Sequence, residues 1–186
     1  MTLNADNVRV AVTGALSLGS TSAVAPVDVD TALGTGWVDL GYISEDGVVE
    51  GRDRNLEPLR AWQNADLLRE EVTEASMTFQ CTLVETKAEV VSLFYGATVD
   101  PLDGSVTVNP SAPATRQKFV LDVVDGTELI RVYIPSGAVT EVGEQTYASG
   151  TAVGYNVTIT AYATDALLNA AGKPSAVKKF YSSLVA

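Results

Sequence analysis

The sequence predicts a mainly β fold, a sandwich or barrel carrying one short flanking α-helix, on three observations. Val is the commonest apolar residue, and β-branched and small residues set the tone, a bias toward pleated sheet. Short runs of period-two alternation recur along the chain, separated by Gly, Pro, Asn and Asp, which is how strands and their turns are written. A single segment switches to helical spacing. The 186 residues are expected as one domain, residues 1–186, large enough to bury a core.

The first strand is expected over residues 8–16, where Val8, Val10 and Val12 alternate with Arg9, Ala11 and Thr13. Residues 17–36 are rich in Gly, Ser, Thr, Ala and Asp and lack periodicity. A stretch of that length suggests a flexible arm or extended loop. Order resumes at Trp37 with a short apolar strand through Ile43, closed by the turn Ser44-Glu45-Asp46-Gly47. A charged excursion over residues 51–69 follows, with Pro58 expected to interrupt any ladder and Trp62 as its large apolar group.

The cleanest signal comes next. Ala75, Met77, Phe79, Cys81 and Leu83 alternate with Glu74, Ser76, Thr78, Gln80 and Thr82, the pattern of a strand with one face in the core and one wet. The helix is expected over residues 86–95. Thr86 and Glu89 form a T-x-x-E capping box, Val90, Leu93 and Phe94 form its apolar stripe, and Gly96 stands where a left-handed residue ends it. Further strands are expected at 105–109, 117–124, 128–134, 137–144 and 155–163, with Asp125-Gly126 as a two-residue hairpin turn. Residues 165–171 read as a helical turn, and 178–184 as a terminal strand or arm.

Charge and composition exclude several function classes. The chain carries 23 Asp and Glu against 12 Lys and Arg, a net charge of −11, so it repels phosphate backbones and is not expected to grip nucleic acid. It has no His and one Cys. That removes the usual general base, any intrachain disulfide and every Cys/His zinc pattern, so no cofactor or metal is expected. Neither a signal peptide nor a membrane-spanning run is evident at the sequence level, and the chain is expected to be cytoplasmic when made, without membrane binding. The neighbouring carboxylates Glu70 and Glu71 would point to opposite faces of a strand. No nucleotide loop or EF-hand spacing occurs. An enzyme is not expected.

Three passages, GWVDLGYISEDGVVEG, AWQ around Trp62 and ASMTFQCTLVETKAEVVSLFYGA, occur in that order between Gly36 and Ala97. In them the chain resembles the major tail tube proteins of siphovirus-type bacteriophages, particularly those infecting actinobacteria. The resemblance implies a virion structural protein that forms hexameric rings stacked around a tape measure protein. The tube would be joined to tail terminator and distal tail proteins, and would later pass genomic DNA without binding it specifically. The implied subunit is a β-sandwich with a flanking helix, and the length leaves no room for the C-terminal immunoglobulin-like domain of some relatives. Under this reading Glu50, Glu74, Ser76, Thr78, Gln80 and Thr82 are expected to face the lumen, although an outer wall or a packed neighbour remains open for them. Arg52, Asp53, Arg54, Glu57, Arg60, Trp62, Asp66 and Arg69 are expected to contact neighbouring subunits. Two other readings share the pattern: the tube of a contractile or secretion-type injection machine, and a carbohydrate-binding, adhesin-like sandwich with Trp37 and Trp62 as platforms.

Overall fold

A computed structural model describes residues 3–4 and 7–184. Ten strands and one helix follow one another as β1 (Thr13–Gly19), β2 (Trp37–Asp39), β3 (Ile43–Arg60), β4 (Leu67–Leu83), α1 (Ala88–Tyr95), β5 (Gln117–Asp125), β6 (Glu128–Val142), β7 (Tyr155–Ala161), β8 (Thr164–Leu168), β9 (Pro174–Ser175) and β10 (Lys178–Tyr181). The main antiparallel sheet has the order β2-β1-β5-β6-β7-β4-β3, with β10 also on β6, while β8 and β9 pair separately. The expected mainly β sandwich with one short helix is therefore the fold.

The sheet must curl, and the chain shows why. Its two terminal strands, β2 and β3, are joined by residues 40–42 alone, and three residues span at most about 10 Å. At this seam Leu40 donates its N–H to the Leu16 carbonyl, and Val84 donates to the Tyr42 carbonyl. Gly41 sits there with φ of 85°, and a Cβ on it would collide with the Glu85 carboxylate. That carboxylate accepts the Tyr42 N–H at 2.8 Å. The second bend is in β6, whose first half pairs with β5 and whose second half pairs with β7. Gly137 marks the change of partner; a side chain there would strike Phe119 at 2.9 Å and Ile159 at 3.1 Å. The result is two packed layers sharing one strand.

Alternation fills the space between them. Phe79, Cys81 and Leu83 of β4, Phe119 and Leu121 of β5, Val132 and Ile134 of β6, and Tyr155, Val157 and Ile159 of β7 meet in one core. Each such side chain contributes roughly 1.5–3 kcal/mol by leaving water. α1 lays Val90, Leu93 and Phe94 on this core. Gly96 closes the helix in the left-handed region at φ 62°, as expected. The capping box does not form. Lys87 is the N-cap, without a side-chain cap bond, because the Thr86 hydroxyl instead accepts from the Tyr155 hydroxyl at 3.1 Å.

Other expectations change with the partners available. The first strand begins at Thr13 rather than at residue 8, since its partner β5 runs only to Asp125 and Thr13 already faces Val124. Val8, Val10 and Val12 are left exposed. Residues 128–134 and 137–144 prove to be parts of one long strand. Residues 105–109 make an isolated bridge, Val106 to Val99, and the helical turn expected at 165–171 is instead strand β8 as far as Leu168, followed by a turn in which Gly172 donates to the Asn169 carbonyl.

The passage expected as a flexible arm, residues 17–36, is docked on the body. Residues 17–19 belong to β1 and pair with both β2 and β5. The remainder crosses the outer face of β5 and β6, and Ala23 and Val29 are buried in it. Arg131 holds it there: its guanidinium pairs with Asp122 at 2.6 and 3.0 Å and donates to the carbonyls of Asp28 and Thr31. Lys118 donates to the carbonyls of Thr21 and Ala23. This is why β6 is buried on both faces from Arg131 to Ile134. Sequence periodicity cannot reveal a strap whose anchors lie about a hundred residues away.

Candidate functional site

Two surfaces stand out, and both grow from the β3–β4 hairpin. The first is the outward face of the layer β6-β7-β4-β3. Residues directly opposite one another in an antiparallel pair project to the same side, so the register defines the rows. Thr78 faces Gly51 on one side and Thr160 on the other; Gln80 likewise faces Val49 and Thr158; Thr82 faces Asn156. The bulge between Val139 and Glu141 in β6 lets the Thr140 hydroxyl reach that of Thr160 at 2.7 Å. Gln80 donates to the Asn156 side-chain Oδ1 at 3.3 Å, and the Asn156 Nδ2 donates to the Thr82 hydroxyl at 2.9 Å.

The face is thus a continuous lattice of hydroxyls and amides, dished around about 540 Å³. Its carboxylates, Asp53, Glu74 and Glu141, stand toward the margins, and its four strands put no Lys or Arg in these rows. Glu74, Ser76, Thr78, Gln80 and Thr82 share this side, as the alternation predicted. Glu50 does not. It lies opposite Phe79 on the core-facing side and pairs with Lys179 of β10 at 2.6 Å. A bulge between Ile43 and Val48 resets the parity of β3, and side-chain alternation alone does not count it. β7 adds Asn156, Thr158 and Thr160 to the face, three residues beyond those expected from the alternation of β4. Their signal was present, since the polar half of 155–161 has the same uncharged character as that of 76–82.

The second surface is the hairpin beyond the body. Pairing continues from Gly51↔Thr78 to Arg60↔Leu67, so the charged excursion is a two-stranded ribbon rather than a loop. Pro58 does not interrupt it. It sits opposite Glu70 on the terminal strand of the sheet, the place where a missing N–H is tolerated. Asn64 and Ala65 take left-handed angles of 55° and 54° at the tip, and Ala61 donates to the Asp66 carbonyl at 2.8 Å. From Arg52 outward every residue of β3 is exposed, and Trp62 at the tip is 97% exposed. Arg52, Arg54 and Arg60 share one side of the ribbon, and Asp53 and Glu57 share the other, while Arg69 pairs with Glu71 at 2.6 Å. Trp37 lies far along the chain from Trp62 and is engaged otherwise. It donates to the Val24 carbonyl at 2.9 Å and packs edge-on against Tyr133.

Nothing in these surfaces assembles reacting groups. Glu70 and Glu71 face Pro58 and Glu57 respectively, on opposite sides. No cluster of metal-ligating side chains occurs among the described residues, and burial pushes the Cys81 thiol up to about 11, which keeps it protonated and inert. None of their helices is long and apolar enough to cross a membrane. What the surfaces offer is area, edges and charge. Residues 1–171 match the family described as phage tail tube protein.

The chain belongs to that family.

A tail tube protein is a structural component of the virion tail, and its family membership implies self-assembly into a tube and a non-enzymatic role. No individually curated protein matches this tail tube subunit.

Proposed function

We propose that this tail tube subunit forms hexameric rings of a non-contractile, siphovirus-type tail, with the hydroxyl- and amide-rich face lining the channel. One observation carries the reading: the four-stranded layer bearing that face is open at both ends. β3 is the terminal strand of the sheet, and β5 leaves β6 at Gly137, so residues 138–142 keep one edge unpaired among the described residues. The two edges differ, and joining unlike edges head to tail generates a ring when the rotation closes. Such pairing would also satisfy the main-chain groups of an exposed edge, which in a monomer invites aggregation.

The rings stack around a tape measure protein, meet tail terminator and distal tail proteins at the ends, and afterwards conduct genomic DNA. Assembly would take place in the host cytoplasm. The lining suits a polyanion in transit. Ser76, Thr78, Gln80, Thr158 and Thr160 bind water but offer phosphates no cation. The marginal carboxylates repel within a screening length of roughly 8 Å. The hairpin arm reaches the adjoining ring.

Electron cryomicroscopy of the purified, assembled chain tests this. Rings of six with Thr78 and Thr160 toward the channel are expected. A tube with those residues on its outer wall would refute the lining, and a sheath around the native tail would refute the non-contractile assignment.

A further inference from the structure

The two sides of the hairpin arm are chemically unlike, and the register separates them. One side carries Arg52, Arg54, Leu56, Pro58 and Arg60 of β3, facing Met77, Ala75, Val72, Glu70 and Leu67 of β4. The other carries Asp53, Asn55, Glu57 and Leu59, facing Ser76, Glu74, Glu71 and Arg69. The first side is therefore basic and apolar, with three arginines against one glutamate. The second is acidic, with Asp53, Glu57, Glu71 and Glu74 against one arginine.

Their partners differ as well. On the acidic side Arg69 is paired with Glu71 at 2.6 Å, and Asn55 donates to Glu74 at 2.9 Å. On the basic side Arg52 and Arg54 have no carboxylate within reach among the described residues. Unpaired arginines are conspicuous in a chain with 23 acids and 12 bases. Beside them Leu56, Val72 and Leu67 are 55%, 52% and 50% exposed. Guanidinium groups interleaved with half-exposed aliphatic side chains make a contact surface for an acidic partner.

We propose that this basic side is the seat of the arm on a second copy of the chain, and that the acidic side faces away from that copy. The inference rests on the tube reading above. Charge complementarity selects both the copy and the side. A second copy carries a net charge of −11, which attracts the Arg52/Arg54 side and repels the side where Glu57 stands opposite Glu71. Continuity agrees, because the acidic side extends the row Gly51/Thr78 of the hydroxyl-rich face. An arm seated on its basic side keeps its carboxylates in line with the channel wall.

The test uses the full chain, with assembly followed by sedimentation across a salt series. R52E/R54E is expected to raise the critical concentration about tenfold or more, R52Q/R54Q less, and E57Q/E71Q to leave it unchanged or lower it. Single cysteines report the sides directly, because the native Cys81 is buried. Maleimide labelling at A75C is expected to slow at least about tenfold on assembly, and at N55C to stay within about threefold. Circular dichroism of the unassembled variants checks that each remains folded. Tubes from the unmodified chain, together with unimpaired R52E/R54E assembly or protection of N55C instead of A75C, would overturn the side assignment alone. An unmodified chain that never assembles would overturn the tube reading and this inference with it.

Discussion

Residues 20–36 and the ribbon beyond Arg52 both look like excursions from a compact body, yet they end in opposite conditions. The first lies on the sheet, with Ala23 and Val29 buried and its carbonyls held by Arg131 and Lys118. The second keeps its strand pairing through two irregularities, at Asn55/Leu56 and Leu59/Arg60, but buries nothing. Irregular backbone can thus be well anchored, while a hydrogen-bonded ribbon can be unsupported. Apolar burial and buried polar bonds decide the matter, since an isolated two-stranded hairpin is marginally stable in water. The strap is completed within one chain. The ribbon finds no such support among the described residues of the chain.

Four substitutions sharpen that contrast, the largest first. Replacing residues 55–74 by an Asn-Gly turn joins Arg54 to Ala75, which already face each other. The shortened chain should unfold in urea within about 1 kcal/mol of the parent, yet show no tubes by negative-stain microscopy. Arg131→Ala strands the Asp122 carboxylate and frees two strap carbonyls. It should cost about 3 kcal/mol in the same urea measurement, and thermolysin, which cuts beside apolar residues, should then cleave within residues 20–36. A matched pair follows. Val29→Ala, at a site 4% exposed, should cost about 1–1.5 kcal/mol, whereas Val72→Ala, at 52% exposed, should cost less than about 0.5 kcal/mol.

The smallest effect concerns acid. Asp28 is held below its ordinary value of 3.8, first by the Thr31 N–H it accepts and then by the Thr31 hydroxyl. A depressed carboxylate stabilises the fold above its unfolded pKa, and that contribution disappears as the pH falls through the folded value. Urea midpoints of the parent and Asp28→Asn should therefore differ slightly above pH 4 and converge at lower pH. Divergence that grows on acidification would contradict the strap geometry.

Much was legible beforehand because it is local. The 74–83 alternation, the Val90/Leu93/Phe94 stripe and the Gly96 stop are set by dihedral preferences and side-chain period; the hairpin turn expected at Asp125-Gly126 falls one residue later, at Gly126-Thr127, because Asp125 still pairs with Glu128. Glu50 was misplaced for an equally definite reason. Alternation assigns two sides to a strand, but a single bulge exchanges them, and the bulge in β3 follows from its pairing with β4. Likewise Val8, Val10 and Val12 alternate correctly and still form no strand, because β5 has turned away. Thr86 and Glu89 spell a cap, but the Thr86 hydroxyl is taken by Tyr155.

By itself, then, the sequence determined the β class, the single helix, the wet row of β4 and the lack of histidine. The tertiary structure decided which rows join across β3, β4, β7 and β6, that residues 20–36 are bound to the body, and that the arm has a basic and an acidic side. The physical reason is range. Propensity and periodicity act over a few residues, whereas register, bulges and buried ion pairs depend on partners brought together from distant parts of the chain.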